Sequence, residues 1–148
     1  MSKIGHQIRG FTLIETCVAL IIFLSVVSLS SYQFNDTRDA LLAGQFFQNF
    51  EREVKIQQQR AMILGKTTAI QYSNRSFLFM EGNTAKRMPL PKNVSLLVTT
   101  FVEFRFKGWT GNTNTTMTLP FSWSEGGKTK RVTYTFKFGS GNFEKHVP

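Results

Sequence analysis

The stretch that most constrains this chain is Arg9-Gly10-Phe11-Thr12-Leu13-Ile14-Glu15, followed at once by an apolar run. Residues 16–35 carry no formal charge, and most of them are Val, Leu, Ile, Ala or Phe. About 20 apolar residues, rising about 1.5 Å each, match the hydrocarbon thickness of a bilayer. The run therefore predicts a transmembrane helix with Glu15 near its cytosolic end. An unpaired carboxylate there is costly, so it needs a neutralising partner. Residues 1–10 hold Lys3, His6 and Arg9 and no acid, which predicts a cytoplasmic N-terminus and a single pass through the cell membrane. A secretory signal peptide has the same charge asymmetry. Against it stand the length of the run, the lack of an A-x-A-like site around Ser28–Ser31, and the charge at Glu15.

A chain of 148 residues allows one modest domain beyond such a helix, and its 15 Phe supply large side chains for a core. The net charge is +9. Residues 40–148 alone carry 15 Lys/Arg against 6 Glu, so the basic character does not come from the N-terminus. That balance favours a polyanionic partner such as nucleic acid, an anionic cell-wall polymer or anionic lipid, and it also serves solubility. The single Cys17 excludes an intrachain disulfide. With His6 and His146 as the only histidines, neither a metal set nor a Ser-His-Asp or Cys-His arrangement is expected. No glycine motif that cradles phosphate is present. The expectation is a protein that is not an enzyme and carries no cofactor.

The string Gly10-Phe11-Thr12-Leu13-Ile14-Glu15 before an apolar helix resembles the class III signal of type IV pilins and pseudopilins. The resemblance implies cleavage between Gly10 and Phe11 by a prepilin peptidase, N-methylation of Phe11, and Glu15 as the fifth residue of the mature chain. Cleavage would create an α-ammonium on Phe11 able to pair with Glu15, and in pilins that pairing is drawn between neighbouring subunits. A buried charge costs far less when paired, which would couple neutralisation to assembly. The implied division is a leader at 1–10, a transmembrane and assembly helix at 11–35, and a soluble domain at 36–148.

Residues 33–64 continue as an amphipathic helix. Leu42, Phe46, Phe50 and Val54 recur every four residues, and Ala43, Phe47 and Met62 broaden the stripe. Glu51, Arg52, Glu53, Lys55 and Gln57–Arg60 fall on the other faces, and Gly65 suits a C-cap. From Thr67 the period changes to two. Thr67–Tyr72 and Ser76–Met80 read as a hairpin, followed by extended segments at Val94–Val98 and Phe101–Phe106. Met117, Leu119, Phe121 and Trp123 line one face of a further strand, where Pro120 suggests an edge or a bulge. Val132, Tyr134, Phe136 and Phe138 alternate with polar residues, and Phe143–Lys145 closes the chain with a short strand. A long N-terminal helix, half in the membrane and half amphipathic, packed on a C-terminal antiparallel β-sheet gives an α+β fold. The pilin resemblance implies that architecture too.

Phe46–Glu51, Pro89-Leu90-Pro91 and Tyr134–Gly141 are similar to the ComGD-type competence minor pseudopilins of Gram-positive bacteria, and Phe104–Asn112 resembles H-type minor pseudopilins. This implies a minor subunit of a competence type IV pilus, a fibre that takes up extracellular DNA for transformation. Expected partners are the prepilin peptidase, sibling pilins and pseudopilins in a hetero-oligomeric fibre, the membrane before assembly, and DNA; the expected final location is a cell-surface pilus. Candidate DNA contacts are Lys86, Arg87, Lys92, Arg105, Lys107, Lys128, Lys130 and Arg131 for phosphates, and Trp109 for stacking on a base. The alternatives are a purely structural priming or tip subunit without DNA contact, and a type II secretion pseudopilin.

Overall fold

The computed structural model describes residues 12–98 and 101–148, with side chains for all of them except 29–36. Gly10, Phe11 and the leader at 1–10 lie outside the described residues. The chain divides into two compact units, Met1–Asn35 and Asp36–Pro148.

Helix α1 runs over Leu13–Leu64. Across 13–28 every side chain is exposed. Polar groups interrupt this stretch, and Thr16, Ser25 and Ser28 donate their hydroxyls to the helix carbonyls of Leu13, Ile21 and Leu24 at 2.7–2.8 Å. Among the described residues no helix is long and apolar enough to cross a membrane. This overturns the transmembrane reading of 11–35, and with it the single-pass placement in the cell membrane. The run is diluted by Glu15, Thr16, Ser25 and Ser28, and α1 becomes charged from Asp36 onward.

The second unit corrects the fold expectation as well. In place of one sheet there are two, each antiparallel and four-stranded. The first has the order β3-β2-β1-β5, from β1 (Thr68–Ser73), β2 (Ser76–Glu81), β3 (Thr84–Pro89) and β5 (Val102–Phe106). The second has the order β4-β6-β7-β8, from β4 (Val94–Leu96), β6 (Met117–Glu125), β7 (Lys128–Phe136) and β8 (Phe143–His146). Two local features divide the strands. Pro89 and Pro91 lack the N–H that would continue the first sheet. Leu90 turns to donate its N–H to Arg75 O, and β4 pairs with β6 instead. Residues 112–114 then close the free edge of β5: Lys107 N–H donates to Asn112 O, Asn114 N–H to Arg105 O, and Arg105 N–H to Asn114 Oδ1. With that edge occupied, β6 has no place beside β5.

The hairpin β1–β2 turns through Asn74 and Arg75, both at positive φ (49° and 54°), as a two-residue primed turn requires. The Arg75 guanidinium reaches across the crossing and donates to the carbonyls of Pro91, Lys92 and Val94. Pro120 lies in a central strand, contrary to expectation. Its carbonyl accepts from Leu97 N–H on the β4 side, so its missing N–H faces the point where β4 ends and no bond to β7 is lost. Strand β7 ends at Phe136, and Phe138 is exposed instead of continuing the apolar face.

Stretch 37–64 of α1 packs against both sheets. Phe50, fully buried, lies 4.9 Å ring to ring from Phe77 on the first sheet, and 5.7 and 5.5 Å from Phe121 and Tyr134 on the second. Phe47 meets Trp123 at 5.0 Å, and Phe104 meets Phe136 at 4.5 Å where the sheets join. Glu53 and Gln57, expected on the outer faces, are buried with Val54 and Ala61; both lie against the first sheet, where Lys86 of β3 bonds to Glu53 and Thr68 of β1 to Gln57 O, whereas Leu42 and Met62 are exposed.

Candidate nucleic-acid interface

The N-terminal motif is the first candidate. Thr12 precedes the helix, and its N–H and Oγ1 donate to Glu15 Oε2 at 2.8 and 2.9 Å, while Glu15 N–H points back at Thr12 Oγ1 at 3.4 Å. Thr12-Leu13-Ile14-Glu15 is thus a capping box, in which the N-cap and the third helical residue satisfy each other's free N–H groups. Glu15 is already hydrogen-bonded within its own first turn, and its charge also suits the positive end of the helix. The T-x-x-E spacing carried that signal. Gly10 and Phe11, the expected cleavage pair, lie outside the described residues.

The basic candidates divide into three places. On β3, Lys86 and Arg87 point to opposite faces, as neighbours on a strand must. Lys86 turns toward α1 and bonds to the buried Glu53 at 2.5 Å, and Arg87 donates to Ser76 Oγ on the outer face. Lys92 borders a groove of about 460 Å³ between the Pro89–Asn93 turn and Arg38, Asp39 and Leu42 of α1. At the tip of the β6–β7 hairpin, Lys128 and Lys130 share the face of Val132 and Tyr134, and Arg131 points the other way. Lys130 is paired to Glu125 at 2.6 Å. Its hydrogen bond to Glu125, followed by that from Trp123 Nε1, holds the Glu125 carboxyl below its ordinary value. Likewise Arg105 bonds to Glu103 at 2.6 Å and holds that carboxyl down. Three of the eight expected phosphate contacts, Lys86, Arg105 and Lys130, are therefore in ion pairs. The eight do not converge on one surface.

The third place is the loop after β5, built around the end of α1. Trp109, at φ 69°, donates its N–H to Ala61 O, and its indole lies against Gly65, the left-handed residue that ends the helix. A Cβ on Gly108 would stand 2.3 Å from Gly65 O, and one on Gly111 would stand 2.6 Å from Met62 Cγ. Gly108 is required because backbone touches backbone there, and Gly111 because it holds a left-handed φ of 65° against the Met62 side chain. The turn after β7 is bonded to this loop: Thr113 N–H donates to Ser140 O, Gly139 N–H to Thr113 O, and Thr113 Oγ1 to Lys137 O. Trp109 and Phe138 stand out from these two joined turns, 77% and 72% exposed. Among the described residues no carboxylate lies within ion-pair distance of Lys66, Lys107, Lys128 or Arg131.

Glu51, Tyr134 and Lys145, which the sequence did not single out as a set, tie α1 to β7 and β8. Tyr134 Oη and Lys145 Nζ both donate to Glu51 Oε1, at 2.7 and 2.8 Å. Burial resists ionisation of Glu51, but the bonds from Lys145 and Tyr134 outweigh it and hold the carboxyl below its ordinary value. Burial, with the Glu51 hydrogen bond second, pushes the Tyr134 hydroxyl far up. Such a tyrosine stays protonated and acts as a fastener. Among the described residues no three His, Cys, Asp or Glu side chains gather as a metal site. Comparison with family models, curated proteins and solved structures gave no match.

Proposed function

We propose that this chain is a minor pseudopilin subunit of a competence type IV pilus, processed after Gly10 by a prepilin peptidase and assembled into a fibre that takes up extracellular DNA. The observation that carries the reading is Gly10-Phe11-Thr12-Leu13-Ile14-Glu15 joined to the stretch 13–28, whose apolar side chains are all exposed. A helix apolar on all sides needs cover from outside itself, and packing against the same stretch of neighbouring subunits supplies it. The basic domain at 36–148 gives DNA contact a physical basis, since Lys107, Lys128 and Arg131, which no described carboxylate pairs, can neutralise phosphates. The ion pairs at Lys86, Arg105 and Lys130 favour a second reading, a structural priming or tip subunit without DNA contact.

The mature chain, recovered from the competent cell, is expected to begin at an N-methylated Phe11 and to be present in sheared fibres. A chain that retains residues 1–10 and is absent from the fibres overturns the proposal. Loss of transformation on neutralising Lys107, Lys128 and Arg131 together, with fibres intact, favours DNA contact over the structural role.

A further inference from the structure

Resting on the DNA-contact reading, we infer that the joined turns around Trp109 and Phe138 form a site for single-stranded nucleic acid, with unpaired bases stacking on the two rings and Lys107 meeting a backbone phosphate. Several observations meet here. Trp109 holds a left-handed φ of 69°, which L side chains rarely adopt, yet its ring contributes to no buried core. Strained backbone that presents an exposed side chain is a reason to look for function. The ring cannot fold inward, because one side already lies against Gly65 and the backbone N–H of Trp109 is held by Ala61 O. Phe138 is as exposed, and its turn is fixed by Thr113 and by the bond from Phe138 N–H to Thr116 Oγ1.

Between the turns lies a groove of about 340 Å³ bordered by Lys107, Thr110, Asn112, Asn114 and Phe138, with no carboxylate among the described residues that line it. Amide and hydroxyl groups there can hydrogen-bond the edges of an unpaired base, and Lys107 brings a charge that no described carboxylate pairs. Aromatic rings with a nearby cation form the usual platform for single strands, because every base has a face to stack. In a duplex those faces are covered by neighbouring base pairs. The hairpin tip at Lys128–Arg131 contrasts with this: its cations lie on two faces, and Trp123 beside Lys130 is half-buried against Phe47. It can meet phosphates but offers no ring to a base.

The test uses the full chain with an oligothymidylate of about 15 nucleotides, and a duplex of equal length, at low and moderate salt. The single strand is expected to quench tryptophan fluorescence and to bind more tightly than the duplex. Trp109→Gly keeps the left-handed backbone, and Phe138→Ala removes a ring outside the core, so both variants should fold. Each is expected to weaken single-strand binding about tenfold or more, in line with the loss of one stacked base. Lys107→Gln is expected to lower the slope of log affinity against log salt by about 0.7. Binding that is indifferent to Trp109→Gly and Phe138→Ala overturns this site and leaves DNA contact elsewhere standing. Failure to bind either nucleic acid at low salt overturns the DNA-contact reading itself. If Phe138→Ala spares oligonucleotide binding and abolishes capture of a sibling subunit, the surface is a protein contact and the inference fails.

Discussion

The two described stretches of α1, 13–28 and 37–64, are built on different rules. In the second, apolar residues recur every three or four positions, from Ala43 through Phe46, Phe47, Phe50 and Val54 to Ala61, and the two sheets bury them all. Charged residues lie between them, so only one sector of the helix can turn inward. In the first, Leu13, Ile14, Val18, Leu20, Ile21, Ile22, Phe23 and Leu24 circle the helix, and all are exposed. No face is singled out. The difference teaches that one stretch of helix carries the stability of a domain while the other displays a surface for something else. Under the proposed function that something is other subunits of the fibre.

Substitutions can break or sharpen this contrast. The largest effect is expected from Phe50→Ala, which empties the point where helix and both sheets meet: about 3–5 kcal/mol of stability, read by denaturant unfolding. An unchanged midpoint would mean that the second stretch is not the structural one. Gly108→Ala comes next, because its Cβ would stand 2.3 Å from the carbonyl of Gly65. A loss of about 2 kcal/mol is expected as the loop is forced off the helix end, and retention of full stability would show that the loop is loosely docked.

Glu51→Gln should cost about 1–2 kcal/mol near neutral pH, since it weakens hydrogen bonds to a charged acceptor. Its pH dependence has a definite sign. The folded Glu51 carboxyl titrates below its ordinary value of 4.5, so its contribution is complete above that value and is lost as pH falls through the lower folded one. Tyr134 acts oppositely: raised above its ordinary value of 10.0, it contributes fully below that pH and loses the contribution as pH rises further. Glu51→Gln is therefore expected to flatten the acid limb of the stability profile. An acid limb identical to the parent's would remove the fastener from the account.

What the sequence made legible follows the range of the interaction. The β1–β2 hairpin and β7 were readable because alternation and a two-residue turn are local. The division into two sheets was not, because it depends on β5 pairing with β1 and β4 pairing with β6 across long stretches of chain. Glu53 and Gln57 read as outer-face residues by their polarity, although their helical positions border the apolar stripe, where β3 and β1 of the first sheet cover them. Pro120 marks an edge or a bulge by sequence alone, whereas the end of β4 decides that its missing N–H costs no bond. At the candidate site, Trp109 was legible as a loop aromatic and Phe138 was hidden inside an alternating run. The roles of Gly108 and Gly111 depend on a helix end that arrives from elsewhere in the chain. The Thr12–Glu15 capping box, by contrast, is local, and its T-x-x-E spacing is legible in the sequence.

The smallest effect on stability and the largest on function are expected at one residue. Glu15→Val removes a carboxylate that, among the described residues, is bonded within its own exposed turn, so the unfolding of 36–148 should change by no more than about 0.5 kcal/mol. The central claim is that 13–28, with Glu15, is the assembly element. Quantifying this chain in sheared fibres from cells carrying Glu15→Val tests it most directly. The account predicts a processed, folded subunit that is missing from the fibre; a variant incorporated at the level of the parent would contradict it.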